Sequence, residues 1–186
     1  MTNWKKAESV KRAYFVCGFC GNTVGPSFGY NYSDRFYKIF ICPVCDKPNY
    51  FDSNDQTPAP LLGNKVENVP EEIDKLYNEA RACTGASAFT AAVLACRKLL
   101  MHIAVEKGAK EGIHFIEYVE YLSKSGYVPP DGKGWVDHIR KKGNEANHEI
   151  TIMSKGDALD LISFSEMLLR FIYEFPMRIP PKPKTP

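Results

Sequence analysis

Four cysteines in the first third of the chain have the spacing of ligands for one metal ion. They form two C-x-x-C pairs, Cys17 with Cys20 and Cys42 with Cys45, and 21 residues separate the pairs. Pairs of this kind supply four thiolates to a tetrahedral Zn²⁺, which leaves no coordination position open for water. We therefore predict one structural zinc ion per chain, held by these four residues, and no catalytic role for the metal.

A second group of polar residues lies in the stretch IRKKGNEANHEI. Arg140, Asn144 and His148 recur there at intervals of four residues, so a helix would place them on one side. A guanidinium binds phosphate oxygens, an amide orients a neighbouring group, and an imidazole transfers a proton near neutral pH. These residue types in this pattern are candidates for chemistry on a phosphate that needs no metal.

The same stretch also has a purely structural interpretation. Gly143 inside a helix costs about 1 kcal/mol relative to alanine, so Gly143 and Asn144 can equally mark a helix end. In that case Asn144 caps a helix and the charged residues around it form a solvated face. The residues by themselves leave both interpretations open.

Strand-forming residues accompany both cysteine pairs. Residues 14–16 precede the first pair and residues 36–41 precede the second, with glycine and proline at the turns. This layout is typical of a zinc ribbon, which we place at residues 12–55. A module of this size buries little apolar surface, and metal binding of order 10 kcal/mol stabilises it instead. Its aromatic residues, with Arg35 and Lys38 among them, either stack nucleic-acid bases or pack around the small core.

Helical periodicity dominates the chain after a linker at residues 56–69. Five helices are predicted between residues 70 and 176, and the longest, between Gly85 and Gly108, is predicted to be the core helix. Short connections and the lack of a strand pattern predict an antiparallel bundle. The predicted fold class is mainly α: a helical bundle at 70–176 behind a small N-terminal β zinc ribbon.

The last predicted helix begins at a capping box, Ser154 with Asp157 three residues later. Its apolar stripe is predicted to be buried and consists of Leu161, Phe164, Leu168, Phe171, Ile172 and Phe175. Pro176 is predicted to stop the helix. Residues 177–186 are proline-rich and basic, which predicts an extended or disordered tail.

Charge and composition narrow the class of protein. The formal net charge is +2, with 44% hydrophobic and 25% charged residues, as in soluble globular proteins. The segment 61–186 has seventeen basic residues against seventeen acidic ones, so a broad basic DNA-binding face is not expected there. The sequence has no run of eighteen apolar residues and no signal-peptide core, so we expect a cytoplasmic protein without membrane contact.

Three further side chains on the predicted core helices carry expectations. Cys83 and Cys96 lie on apolar helix faces and are predicted to be buried structural thiols. Arg97 is predicted to be a solvated cation, with a position facing Arg140, Asn144 and His148 across the bundle as the alternative.

The helical segment resembles the family named domain of unknown function 4145 from residue 70 to residue 176. The resemblance rests on PEEIDKLYNEARAC, on Gly85 followed by AAVLACRKLL, on IRKKGNEANH and on DALDLISFSEMLLRFIYEFP. That family is similar to the HEPN superfamily of helical domains. Many HEPN domains are metal-independent ribonucleases of prokaryotic defence and toxin systems, and others are non-catalytic. Members of the family also occur behind zinc ribbons, which is the order found here.

The resemblance implies roles for the central residues. The family pattern R-x-x-G-N-x-x-x-H falls on Arg140, Gly143, Asn144 and His148. In the implied reaction an RNA 2′-hydroxyl attacks the adjacent phosphorus. His148 transfers a proton, Arg140 stabilises the charged phosphorane, and Asn144 holds one of these two side chains in place. HEPN domains commonly pair, so a homodimer through the helical bundle is implied. The implied function is a metal-independent endoribonuclease of a prokaryotic or phage defence or toxin system.

A non-catalytic function is the alternative. Seven residues separate Arg140 from His148, whereas the HEPN ribonuclease signature has four to six. Counting from Lys142 gives five residues, but lysine is a point charge and not a bidentate fork. The chain is then an adaptor or sensor, in which ribbon and bundle bind a partner protein or nucleic acid.

Overall fold

Small antiparallel sheets form the N-terminal part of the chain and helices form most of the rest. The computed structural model describes residues 4–7, 14–26, 28–32, 36–53, 55–129, 132, 134–139 and 152–178. Two compact units are present. The first comprises Met1–Leu62 with Thr84–Ser87, and the second comprises Gly63–Cys83 with Ala88–Pro186. The fold class is therefore mixed, with the sheets in the first unit.

The first unit contains a five-stranded antiparallel sheet and a separate pair of strands. The sheet has the order β1 (Trp4–Ala7), β4 (Gly29–Tyr32), β5 (Tyr37–Ile41), β6 (Pro48–Asp52) and β7 (Asp55–Thr57). The pair consists of β2 (Phe15–Val16) and β3 (Thr23–Val24). The strand-forming residues before each cysteine pair lie in β2 and β5. Strands β1 and β7 extend the sheet beyond the predicted ribbon, because β1 pairs with β4 and β7 pairs with β6.

Phenylalanine side chains pack around the cysteines in this unit. Phe15, Phe40, Cys17 and Cys42 are buried together, and Phe51 packs against them. The ring centroids of Phe15 and Phe40 are 5.9 Å apart, and those of Phe40 and Phe51 are 5.1 Å apart. Of the two interpretations offered for the ribbon's aromatic residues, base stacking or core packing, core packing therefore holds for Phe51.

The second unit is helical. Its helices are α1 (Glu71–Gly85), α2 (Phe89–Glu106), α3 (Phe115–Lys124), α4 (134–139 within the described residues), α5 (Lys155–Leu169) and α6 (Phe175–Arg178). Helix α2 packs against both α3 and α5, and its apolar face, including Leu99, Leu100 and Ile103, is fully buried. The prediction that α2 is the core helix is confirmed. No helix in the described ranges is both long and apolar enough to cross a membrane.

The capping box predicted for the start of α5 is present. The Asp157 N–H donates to Ser154 Oγ at 3.2 Å, and the Ser154 N–H donates to Asp157 Oδ2 at 2.8 Å. These two bonds satisfy backbone donors that an α-helix leaves without partners at its N-terminus. Local sequence therefore sets where α5 begins.

A π-helical turn, Arg170–Glu174, connects α5 to α6. The Phe175 N–H donates to the carbonyl of Arg170, five residues earlier. The prediction that Pro176 stops the helix is wrong, since α6 continues through Pro176 to Arg178. Proline lacks an N–H and its ring crowds the carbonyl four residues earlier, and a wider turn before it relieves that clash.

The π turn also changes which apolar residues are buried. Leu161, Phe164 and Leu168 are fully buried, as predicted, but Phe171 is 46% exposed and Phe175 is 38% exposed. The prediction of one buried stripe through Phe175 is wrong for these two residues, and Ile172 is only half-buried. A π turn holds more residues than an α turn, so it shifts the helical positions that follow, and Phe171 and Phe175 rotate away from the buried stripe.

Candidate metal centre

The four predicted cysteine ligands lie together. Their sulfur atoms are all within 4.8 Å of one another. The Sγ atoms of Cys17 and Cys45 are 3.7 Å apart, and so are those of Cys20 and Cys42. A tetrahedral Zn²⁺ with Zn–S bonds of about 2.3 Å requires S···S distances of about 3.8 Å. All four thiols are free, and a disulfide would need about 2.05 Å. The geometry fits a four-thiolate metal site.

Each cysteine pair lies in the same kind of tight turn. The Gly21 N–H donates to the carbonyl of Cys17 at 2.9 Å, and the Asp46 N–H donates to the carbonyl of Cys42 at 2.9 Å. Gly21 has φ of 72° and Asp46 has φ of 55°, a left-handed conformation that glycine and aspartate adopt more readily than other residues. The two turns therefore bend the chain alike, and each directs its pair of thiols towards the shared site.

Nitrogen donors surround the first pair. The Phe19 N–H lies 3.4 Å from Cys17 Sγ, and Asn22 Nδ2 lies 3.3 Å from Cys20 Sγ. The Asn22 amide is the main cause that lowers the pKa of Cys20 to about 6, whereas burial raises the pKa of Cys45 to about 12. Four thiolates this close repel one another, so a bound cation is needed to hold all four in the ionised form.

Asn49 supports the first cysteine pair from strand β6. It is fully buried, and its Nδ2 lies 3.5 Å from Cys17 Sγ. Its Oδ1 accepts hydrogen bonds from the Gly18 N–H at 3.0 Å and from Gln56 Nε2 at 3.2 Å. The amide therefore links two strands of the sheet to Cys17. This role of Asn49 was not predicted. The sequence feature that could have indicated it is a polar residue at an inward-facing position of a strand.

Replacing Asn49 with leucine is expected to lower zinc affinity about 10- to 100-fold, because outer-shell donors orient ligands and tune the metal. Affinity would be measured by competition with a chromophoric chelator. Asn31→Leu, which alters an exposed amide on β4, provides the matched control and should leave affinity unchanged. Equal affinities for wild type and Asn49→Leu would show that the amide has no role in metal binding.

Arg140, Asn144 and His148 lie outside the described residues. Helix α4 is described up to Ile139, which is fully buried, and the description resumes at Ile152. Their predicted arrangement on one helix side therefore stays a prediction.

Arg97 differs from its predicted environment. It is only 4% exposed, and its guanidinium carbon lies 4.5 Å from the centroid of the Phe115 ring. Its Nη1 is buried and has no hydrogen-bond partner in the described part of the chain. Burial lowers the pKa of Arg97 from its ordinary value. The prediction of a solvated cation is wrong, because packing of α3 against α2 covers this side chain.

Three other residues in the helical unit have defined environments. Cys96 is fully buried, as predicted, and burial raises its pKa to about 12, so it is an unreactive thiol. Cys83 is only half-buried.

His138 Nε2 lies 2.7 Å from Asp160 Oδ2 on the surface, and this contact connects α4 to α5.

Comparison with known proteins identifies the family of the chain. A family model described as "Domain of unknown function (DUF4145)" matches residues 78–183, which is more than half of the chain. No curated protein and no solved structure matches. The match covers most of the segment that carries the sequence resemblance and extends into the C-terminal tail. The chain therefore belongs to the DUF4145 family.

Proposed function

We propose that the chain is a non-catalytic adaptor in which a zinc ribbon presents a binding surface and a HEPN-like helical bundle forms the second module. The observation that carries the proposal is the four-cysteine cluster, whose sulfur atoms are within 4.8 Å of one another. Cys17, Cys20, Cys42 and Cys45 would hold one structural Zn²⁺ and fill its coordination shell. No position remains for a substrate or a reactive water, so the metal would stabilise a surface and take no part in a reaction.

The helical unit would form the second module of the adaptor. Its core helix α2 is buried against α3 and α5. If this unit is a HEPN-like bundle, as proposed, it would pair with a second copy, and the adaptor would then offer two ribbons to its partner. Sedimentation equilibrium would test the homodimer.

A metal-independent ribonuclease is the second candidate, and buried Arg97 is the observation that favours it. A buried guanidinium whose Nη1 lacks a partner among the described residues would be stabilised by a nearby anion. An RNA phosphate is one such anion. His148 would then either take the proton from the 2′-hydroxyl or deliver a proton to the 5′-oxygen that leaves, and Arg140 would bind the phosphorane oxygens.

Cleavage of a mixed RNA pool separates the two candidates. The adaptor predicts no cleavage by the wild-type chain above the level of His148→Ala and Arg140→Ala, with EDTA present and zinc content verified after the assay. The ribonuclease predicts 2′,3′-cyclic phosphate ends, with a loss of about 10²- to 10⁴-fold in His148→Ala. The matched control is His102→Ala, which alters an exposed histidine on α2.

Cleavage that both variants lose and the control keeps would contradict the adaptor proposal and establish the ribonuclease. Cleavage that survives both substitutions would contradict the assigned roles of Arg140 and His148. Equal fold, judged by circular dichroism, is required for each comparison.

A further inference from the structure

The five-stranded sheet of the first unit has two different faces. Side chains alternate between faces along a strand, and Phe40 and Phe51 direct theirs into the cysteine core. The register pairs Tyr30 with Ile39 and Ile39 with Tyr50, so these residues share the opposite face. That face, here called the tyrosine face, carries Tyr30, Tyr32, Tyr37 and Tyr50 on three adjacent strands.

Three rings of the tyrosine face, those of Tyr32, Tyr37 and Tyr50, form a row. The centroids of Tyr32 and Tyr37 are 6.0 Å apart, and those of Tyr37 and Tyr50 are 6.1 Å apart. Tyr30 is 37% exposed, and the other three are partly exposed. Tyrosine rings combine apolar area with a polar hydroxyl and are enriched where proteins bind one another.

Two carboxylates mark one end of this face. Asp52 lies directly opposite Asp55 in the pairing of β6 with β7, and both residues are exposed. Asp52 is two residues from Tyr50 and therefore lies on the same face. Like charges directly opposite each other are destabilising, so a bound cation would stabilise this pair.

The sheet lysines whose side chains the structure describes lie away from this end. Lys38 alternates with Tyr37 and Ile39, which places it on the core-side face, and it is exposed at the edge of the core. Lys5 on β1 is paired with Asn31, which is paired with Lys38, so Lys5 lies on the same core-side face, four strands from Asp55 or about 19 Å at the usual strand spacing. The end of the tyrosine face at β6 and β7 is therefore acidic, which disfavours a polyanion such as nucleic acid there.

The geometry points to a binding site for an extended, proline-rich segment of a partner protein that carries lysine or arginine. Polyproline II segments have no internal hydrogen bonds and dock on aromatic rows through their proline rings. A basic side chain of the same segment would reach Asp52 and Asp55. The inference rests on the proposed adaptor function and names the chemistry of the partner.

Residues 177–186 of the chain, MRIPPKPKTP, have this chemistry and supply a defined probe. A fluorescein-labelled peptide of that sequence would be titrated with zinc-loaded protein and followed by fluorescence anisotropy. The measurement would use the full chain and also a chain ending at Arg178, so that its own tail does not compete with the probe. We expect saturable binding that weakens as salt is added.

Substitutions on the tyrosine face test the site. Tyr50→Ser should weaken peptide binding about tenfold, and the double change Asp52→Asn with Asp55→Asn about threefold, with less dependence on salt. The control is Tyr14→Ser, because Tyr14 is 79% exposed but lies outside the five-stranded sheet. Each variant must retain one zinc per chain.

Three results would overturn the inference. The first is that peptide binding does not saturate at about 1 mM peptide. The second is that Tyr50→Ser and the aspartate variant bind the peptide as tightly as the wild type does. The third is that a single-stranded oligouridylate binds more tightly than the peptide and that Tyr50→Ser abolishes this binding. A negative peptide result would not decide the adaptor proposal. The RNA-cleavage assay tests that proposal separately, because the two assays measure different properties of the chain.

Discussion

Replacing Cys42 with serine is expected to abolish binding of one zinc ion per chain and to unfold the N-terminal unit. Cys42 is fully buried at the centre of that unit's small core, beside Phe15 and Phe40. Structural zinc contributes of order 10 kcal/mol to a module of this kind, and a hydroxyl is a much poorer ligand for the ion than a thiolate. The core itself is too small to replace that free energy.

Two measurements on purified protein check this expectation. Zinc per chain would be determined by mass spectrometry of the metal, and folding of the N-terminal unit would be followed through its amide signals in NMR spectra. Cys83→Ser is the matched control, since Cys83 is a half-buried thiol outside the cluster. It should retain one zinc. A Cys42→Ser chain with full zinc and unchanged spectra would contradict the four-thiolate site.

The second large effect concerns an ionic network in the helical unit. Arg170 contacts Glu166 at 2.9 Å and Glu174 at 3.0 Å, one helical turn to either side. The same carboxylates accept backbone N–H groups from the segment before α1: Asn64 donates to Glu166 at 2.8 Å and Glu67 donates to Glu174 at 3.3 Å. Glu174 is only 2% exposed. The network therefore holds this segment against the C-terminal helices.

Glu174→Leu is expected to destabilise the helical unit by about 3 kcal/mol. Removing a buried carboxylate deprives every group that it accepts from. Arg170 loses Glu174 and keeps only Glu166, Arg178 loses its ion pair, and the Glu67 N–H loses its acceptor. The free energy of unfolding would be measured by urea titration, with the far-ultraviolet circular dichroism of the helices as the signal.

Glu71→Leu is the matched control for Glu174. The Glu71–Lys75 pair has the same i,i+4 spacing, but its side chains are 80% and 71% exposed. Its loss should cost under about 1 kcal/mol, including the favourable position of an acid in the first turn of α1. Equal destabilisation by the two substitutions would show that burial of Glu174 does not determine the strength of its ion pairs.

Features of the metal centre that depend on short spans of chain could be predicted from the sequence. Each C-x-x-C pair is closed by a hydrogen bond between residues four apart, Cys17 with Gly21 and Cys42 with Asp46. The residues of such a turn are near neighbours in sequence, so their types and spacing are sufficient. The start of α5 at Ser154 is local in the same sense.

The supporting residues of the centre could not be predicted in this way. Asn49 reaches Cys17 across 32 residues, and Gln56 reaches Val16 across 40 residues. These contacts exist because β6 pairs with β5 and β7 pairs with β6 in one register. A shift of one residue would move every side chain to the other face, and the register is fixed by burial of one face against the core, which the residues of one strand do not reveal.

The helical unit shows the same division. Periodicity placed α2 and its buried residues, because an amphipathic helix repeats its apolar positions every turn. It could not show that a π turn follows Leu169, and so it misplaced Phe171 and Phe175. It also assigned Arg97 to solvent, although the ring of Phe115 on another helix covers that side chain.

The sequence by itself determined which four cysteines form the candidate metal centre, the places where the main helices lie and membership of the DUF4145 family. The tertiary structure alone decided that Asn49 supports Cys17, that Arg97 is buried and that the tyrosines share one face. The physical reason is the range of the interactions. Turns, caps and helical periodicity arise between residues a few positions apart, whereas strand register and helix packing arise from contacts between distant segments, which only the folded chain brings together.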